Sequence, residues 1–516
     1  MSVPHDITIV IPVADRPKHL AHCLNSLLEL KQRYPYAGRV SALVVEDSKQ
    51  PENIIRQQQL VAGIQQQGLP AHHLSFADQQ SVLSMLPDSL CKQLSGVFGD
   101  GQSFAHKGAS ISRNIACLWL SRQMNGKSAQ LIWFVDSDQV FCVNKISQQG
   151  EVEEPLDYFN ELDRIFTSSS VQMLTGKVVG DPPVSPAVMA GNFLADVIDF
   201  FIELRACEPR QQCIFHAARR HADDAAYHDM AELFGFHEKQ GFRYQCTLSG
   251  AHDHATCLAD FAAGLNYFFD GVHPTRRSFY QALPLADSLV AARTVYTGNY
   301  IFTQQCLAYF IPFADLRLRM AGPTLGRIIK AELGEQFISA NLPMLHGRIV
   351  DSLGQAEFRA GIERGESRID LADEYTRQYF GDVMLFSMEK LTAENYLTAS
   401  VSVADISAVV HEVEAQLHAR YSLKHKQIND KLDRLSALFC QPVNWWQQDG
   451  QLATARHHCL QFIANMQHNF GEHARGWRLI NDESQRQSRR LAIVNALVEY
   501  PAQRLAWQQA TEILQS

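Results

Sequence analysis

The sequence predicts an α/β protein, with an open, mainly parallel sheet flanked by helices and a helical region at the C-terminal end. Two observations carry this. In the first third, short β-branched apolar runs alternate with segments of helical period, the pattern of strands joined by crossover helices. From about residue 400 onward only helical periodicity is left.

Ile7-Thr8-Ile9-Val10-Ile11 reads as a strand buried on both faces that stops at Pro12. Leu20, Leu24, Leu27 and Leu28 then mark one face of a helix. A second apolar run, Ala42 to Val45, ends at Glu46-Asp47-Ser48, and a third, Leu131 to Val135, ends at Asp136-Ser137-Asp138. Between these two, Gly108 to Met124 carries Ile111, Ile115, Leu118 and Trp119 at helical spacing. Ligands of such sheets bind beyond the carboxyl ends of the strands, so the polar strand ends point at one site. Glu151 to Arg293 is less regular and rich in histidine. Val295 to Phe302 returns to a sheet-like pattern. After Pro343 the chain is expected to become increasingly helical, with Ile406, Val409, Val410, Val413, Leu417 and Tyr421 forming one stripe.

At 516 residues the chain exceeds the about 250 to 300 residues at which one core stops growing, so a catalytic domain with an attachment is expected. Basic and acidic counts of 46 and 55 give a net charge of −9, which argues against nucleic acid as a partner. An anionic small molecule stays compatible, provided a metal and a few basic side chains reverse the local field. The 11 cysteines contain no C-x-x-C pair and fit a reducing, cytoplasmic location. Neither a signal peptide nor a stretch of roughly 20 apolar residues is evident.

Two aspartates one residue apart at the end of a buried strand can hold Mg or Mn and leave positions open for phosphate oxygens. Asp136-Ser137-Asp138 has that form, although an isolated Asp-x-Asp is common in solvated turns. Its context is more specific. Ile7 to Pro12 followed by Ala14-Asp15-Arg16-Pro17, then Val44-Val45-Glu46-Asp47-Ser48, Gly108-x-x-x-x-Arg113-Asn114 and Phe134-Val135-Asp136-Ser137-Asp138 resemble, in order and spacing, the nucleotide-binding half of family-2-like GT-A glycosyltransferases. The resemblance covers roughly residues 5 to 145. It implies that Pro12, Ala14, Asp15 and Asp47 meet the uracil or guanine and ribose of a UDP- or GDP-linked sugar, and that Arg113 meets base or phosphate. It further implies Asp138 as the direct metal ligand, with Asp136 nearer the ribose.

Farther on, Tyr296-Thr297-Gly298-Asn299-Tyr300 resembles the Gly-centred segment of these enzymes, placing Gly298 and Asn299 near the sugar. By order, His346 in Leu342-Pro343-Met344-Leu345-His346-Gly347-Arg348 would be a third metal ligand. The acidic pair that inverting members carry after the Gly-centred segment is missing from Arg317 to Arg327, where Asp315 is the nearest carboxylate. The motif order instead is similar to retaining glucosyl-3-phosphoglycerate and mannosylglycerate synthases, with Gly176-Lys177-Val178-Val179 as the Gly-basic-Val loop. Retention is therefore the expected outcome, with no catalytic base assigned. Pro323 and the stripe Leu325, Ile328, Ile329 and Leu333 predict a helix whose N-terminus, with Thr324, Arg327 and additional charge from Lys177 and Arg319, suits a phosphate or carboxylate of a small anionic acceptor.

His252-Asp253-His254 with Cys246 and Cys257 could bind zinc, but the spacing matches no standard zinc module, and the segment is read as part of an insertion or lid over about 205–290. Asp382 and Glu389 are expected to face solvent on a helix. The expected organisation is a GT-A domain over 1–395 and a helical region over 396–516 that offers a surface for self-association. The expected activity is metal-dependent transfer of a hexose to a hydroxyl. A nucleotidyltransferase and a non-catalytic nucleotide-sugar-binding protein are the alternatives.

Overall fold

The computed structural model describes residues 3–99, 104–124, 129–147, 150–215, 244–350, 357–365, 368–398 and 400–516. Among the described residues of the first 346 there are eleven strands: β1 (Asp6–Val13), β2 (Val40–Glu46), β3 (Ala71–Leu74), β4 (Gln130–Val135), β5 (Gln139–Val140), β6 (Val143–Ser147), β7 (Gly150–Glu154), β8 (Met173–Gly180), β9 (Val290–Ala291), β10 (Asn299–Thr303) and β11 (Phe337–His346). The main sheet has the order β3-β2-β1-β4-β10-β8-β11-β5, with β9 paired to β11. β1 is parallel to β2 and β4, β2 to β3, and β8 to β11, while β10 runs antiparallel between β4 and β8. An open, mostly parallel sheet flanked by helices, followed by a helical C-terminal region, is the fold class expected.

This topology positions the site. The ends of β1, β2, β4, β8 and β11 and the start of β10 share one edge, with Val135 opposite Asn299 and His346 opposite Gly180. The two faces of the sheet feed two cores. Ile7, Ile9 and Ile11 pack with Leu20, Leu24 and Leu27 of the helix Pro17–Arg33, whereas Val10 packs toward Ile111 and Ile115 of the helix Ala109–Gln123. Alternation along a strand produces this division.

Several expectations need correction. β1 continues through Pro12, which lies opposite Val45. Gly176 to Pro183, which the two prolines allow as a loop or as a strand followed by a turn, is the second of these: Gly176 to Val179 are the middle of β8, buried along its whole length, and not the Gly-basic-Val loop that the resemblance implies. β11 runs through Pro343 to His346, with a register irregularity between Ser339 and Pro343, and beyond it the described residues are mainly helical, as expected. The irregular middle contains a 20-residue helix, Pro186–Arg205, that is buried nearly all round and so leaves no helical stripe to read. Asp382 is buried, not solvent-facing. Of the expected lid over 205–290, residues 216–243 lie outside the described residues.

The helical stripe from Ile406 to Tyr421 is buried as expected, within the helix Val403–Phe439. It belongs to the same hydrophobic cluster as Phe134, Ile111 and Trp507. Among the described residues no helix is long and apolar enough to cross a membrane.

Candidate active site

The sequence turns out of β1 at Asp15, which takes a left-handed backbone (φ 51). Its carboxylate accepts from the Lys49 and Gln50 N–H groups at 3.0 Å each, from Asn53 at 3.1 Å and from His106 Nε2 at 2.6 Å. Burial raises its pKa, but these donors outweigh it and the net shift is downward. Asp15 thereby fastens the loop after β1 to the start of the helix Pro51–Gln66. Asp47 is similarly engaged. It accepts from the Lys107 and Gly108 N–H groups at 2.8 and 3.0 Å and from Lys107 Nζ at 3.2 Å, next to the start of the helix Ala109–Gln123. Both carboxylates expected at the base and ribose are therefore held by the protein itself. Pro12 is inside the sheet, and half-buried Ala14 follows at its edge.

The Asp-x-Asp segment does stand at the end of β4. Asp136 is about one-third exposed and pairs with buried Arg113. Its Oδ2 packs so closely on Gly298 that a Cβ there would lie 2.7 Å away, which is why a glycine precedes β10. Asp138 is buried. Its Oδ2 receives Arg16 Nη1 at 3.1 Å and faces His346 Nε2 at 3.5 Å and Arg348 Nη1 at 3.6 Å. Burial would raise the Asp138 pKa, yet the charges of His346, Arg16 and Arg348 hold it well below the usual carboxylate range.

His346 ends β11, and its Nδ1 lies 2.7 Å from the Asp181 carbonyl. Only a protonated Nδ1 can make that bond, so in the neutral ring the Nε2 lone pair faces Asp138. A carboxylate and an oriented imidazole that can present Nε2 when neutral, with a second, part-exposed carboxylate on the same turn, form a donor set that fits a hard divalent cation. Three guanidiniums surround it. Arg348 N–H donates to Asp181 Oδ2 at 2.9 Å, and Arg359 donates to the Arg348 carbonyl at 2.6 Å. Burial, then the neighbouring Arg348 and Arg16 charges, pushes the Arg359 pKa well below its usual value. So concentrated a positive field favours an anion.

The remaining expected residues divide. Lys177 lies buried on β8. Asn299 is fully committed inside the sheet: its Nδ2 donates to the Lys177 and Leu342 carbonyls at 3.0 and 2.8 Å, and its Oδ1 accepts from Trp133 at 2.9 Å. Arg327 donates to Thr294 Oγ1 and pairs with Glu389, tying the helix Ala321–Leu333 to its neighbours. Thr324 is buried in that helix. Arg319 pairs with Glu374. Asp315 packs near Gly96, within the field of Glu499.

Sequence reading passed over Arg16, Arg348, Arg359 and Lys107. Two of them lie inside quoted motifs, Arg16 beside Asp15 and Arg348 two residues past His346, and that adjacency was the available signal. Arg359 had none. It belongs to a segment laid across the site, where Glu357 Oε1 accepts from Lys18 N–H, Phe358 accepts from Arg16, and the Phe358 ring stacks on His106 at 4.0 Å.

No family model and no curated protein matches this chain. Among solved structures it is similar to a crystal structure of S. aureus TarS 1-349, at 12% identity and a TM-score of 0.30, covering 94% of this chain and 92% of that one. It is also similar to a crystal structure of S. aureus TarS, at 13% identity and a TM-score of 0.29, covering 90% of this chain and 55% of that one.

Proposed function

We propose that the chain is a GT-A glycosyltransferase that moves a hexose from a nucleoside diphosphate sugar, UDP- or GDP-linked, to a hydroxyl acceptor. The observation that supports this best is the convergence of Asp138 and His346 beneath Arg16 and Arg348 at the shared strand edge. Asp138 and His346, with Asp136 beside them, would hold Mg or Mn. When bound, that cation supplies electrostatic stabilisation to a departing diphosphate. Arg16, Arg348 and Arg359 orient the diphosphate through charge-assisted hydrogen bonds, and their fixed geometry spares reorganisation during transfer. Gly298 leaves room for Asp136, Gln139 and the Tyr296 ring to pack against the start of β10, which sets where the Asp136 carboxylate stands.

A thermal-shift screen of nucleoside diphosphate sugars with and without Mn tests the reading, since a ligand that binds the native state raises the melting temperature. Asp138→Ala is expected to abolish the metal-dependent part of the shift and to lower turnover at least about a hundredfold. A full shift in that variant overturns the assignment. Metal-dependent release of UDP or GDP supports a transferase, pyrophosphate release a nucleotidyltransferase, and no release a binding protein. Retention of anomeric configuration goes with this proposal, because Asp315 packs elsewhere. An inverted product in an NMR time course would transfer the base role to Asp181, whose carboxylate neighbours Arg348.

A further inference from the structure

A second group of metal-ligating side chains lies outside the donor site. Cys213, Cys246 and Cys257 are buried and His252 is half-buried, and one ligand atom from each lies within 4.8 Å of the other three. Cys246 Sγ and His252 Nε2 are 3.3 Å apart. Zn–S bonds of about 2.3 Å and Zn–N bonds of about 2.0 Å span similar separations in a tetrahedron. Spacing in the sequence does not reveal this set, because Cys213 comes from before the 216–243 segment and the other three from after it. His254, the other histidine of that run, is not a member. It is buried, with Nδ1 2.8 Å from the Glu208 carbonyl and Nε2 accepting from Ile214 N–H.

The backbone holds the four groups in place by separate means. Cys213 N–H donates to the His252 carbonyl at 2.9 Å, next to a bridge between Gln212 and Asp253. Asp253 caps the helix His254–Gly264 through Thr256 N–H and so sets Cys257 in its first turn. His252 Nδ1 lies 3.1 Å from the Gly250 carbonyl, which fixes the proton there and turns the Nε2 lone pair toward Cys246. All of the cysteines are free thiols. An apolar core has no use for three thiols converging on an imidazole whose second nitrogen is already committed, whereas a soft, four-coordinate cation does.

We propose that Cys213, Cys246, His252 and Cys257 form a structural zinc site. Binding releases one proton from each of the three thiols, and the neutral imidazole completes a closed Cys3His shell with no position for substrate. Sulfur ligands select zinc here, while the oxygen-rich set at Asp138 selects Mg or Mn, so the two sites load independently. The site ties the segments at Cys213 and at Cys246 to Cys257 together beside the helix Pro186–Arg205, next to the rings of Phe200, Tyr244 and Phe261, whose neighbouring centroids lie 4.2 to 4.8 Å apart.

Elemental analysis of the full chain, purified from zinc-supplemented cells without chelator, tests the proposal. One zinc per chain is expected, together with loss of zinc in Cys246→Ser and its retention in His252→Cys and Asp138→Ala. Cobalt-loaded protein should show the thiolate charge-transfer and d–d bands of a tetrahedral site, strengthened in His252→Cys. That spectrum keeps the proposal testable should Cys246→Ser fail to fold. Zinc below about a tenth of an equivalent, zinc retained in full by Cys246→Ser, no thiolate–cobalt band, or a disulfide among the three cysteines would each overturn it.

Discussion

Arg348 shows what a single residue contributes at the donor site. Its main-chain N–H holds Asp181 while its guanidinium faces Asp138 at 3.6 Å, so backbone and side chain act on different carboxylates. Replacing it with alanine keeps the first contact and removes the second. Nucleoside diphosphate affinity should fall about 10- to 100-fold, the span of one or two charge-assisted hydrogen bonds, with metal affinity retained. Isothermal titration calorimetry with each ligand measures the difference. Gly298→Ala is expected to act sterically: its Cβ would press on Asp136 Oδ2, on Gln139 Nε2 and on the buried Tyr296 ring, so donor affinity and the melting temperature should both fall.

Among elements, the helix Ala321–Leu333 lies unusually close to the chain ahead of β10. A Cβ on Gly326 would stand 2.6 Å from the Arg293 carbonyl oxygen and from the Thr294 Cα, which are backbone atoms and cannot swing aside. Gly326→Ala should therefore destabilise by about 1–3 kcal/mol, read from chemical denaturation, despite alanine's better helix propensity. A buried carboxyl joins two other helices. Asp382, on Ala372–Ala393, accepts from Tyr421 at 2.5 Å and from Gln378 at 2.8 Å, with Lys424 and Arg319 nearby, and burial pushes its pKa up to about 7. A carboxyl that holds its proton more tightly when folded contributes stability that is full below pH 4 and lost as pH rises to about 7. Denaturation curves across that range should show Asp382→Asn losing less stability than the parent, by on the order of 2–4 kcal/mol. Strand β11 and the helix Pro186–Arg205 were not legible in the sequence. Uniform burial removes the polar half of each periodic pattern, and periodicity is the signal that sequence reading uses.

In the molecule as a whole, the helices after residue 400 are not an appendage in the energetic sense. Trp507 donates to the Leu307 carbonyl at 2.9 Å and packs on Phe310, Arg504 pairs with Glu332, and one hydrophobic cluster runs from the sheet into these helices. Truncation after residue 395 should expose that cluster and yield aggregating protein, and the full chain should unfold its sheet and C-terminal helices in one transition by circular dichroism and tryptophan fluorescence.

The sequence by itself determined the local chemistry: which apolar runs become parallel strands, that Asp136 and Asp138 close one of them, and that a late histidine follows. Those features depend on neighbours in the chain. Tertiary structure decided which polar groups are already engaged with one another. Asp15, Asp47 and Asn299 have their hydrogen-bonding capacity filled by other elements, while Asp138 and His346 converge with Arg16, Arg348 and Arg359 from four separate segments. The same holds for the three cysteines and His252, gathered from either side of one segment. A buried polar atom must find its partner wherever the fold places one, and that pairing is set by three-dimensional packing and not by spacing along the chain.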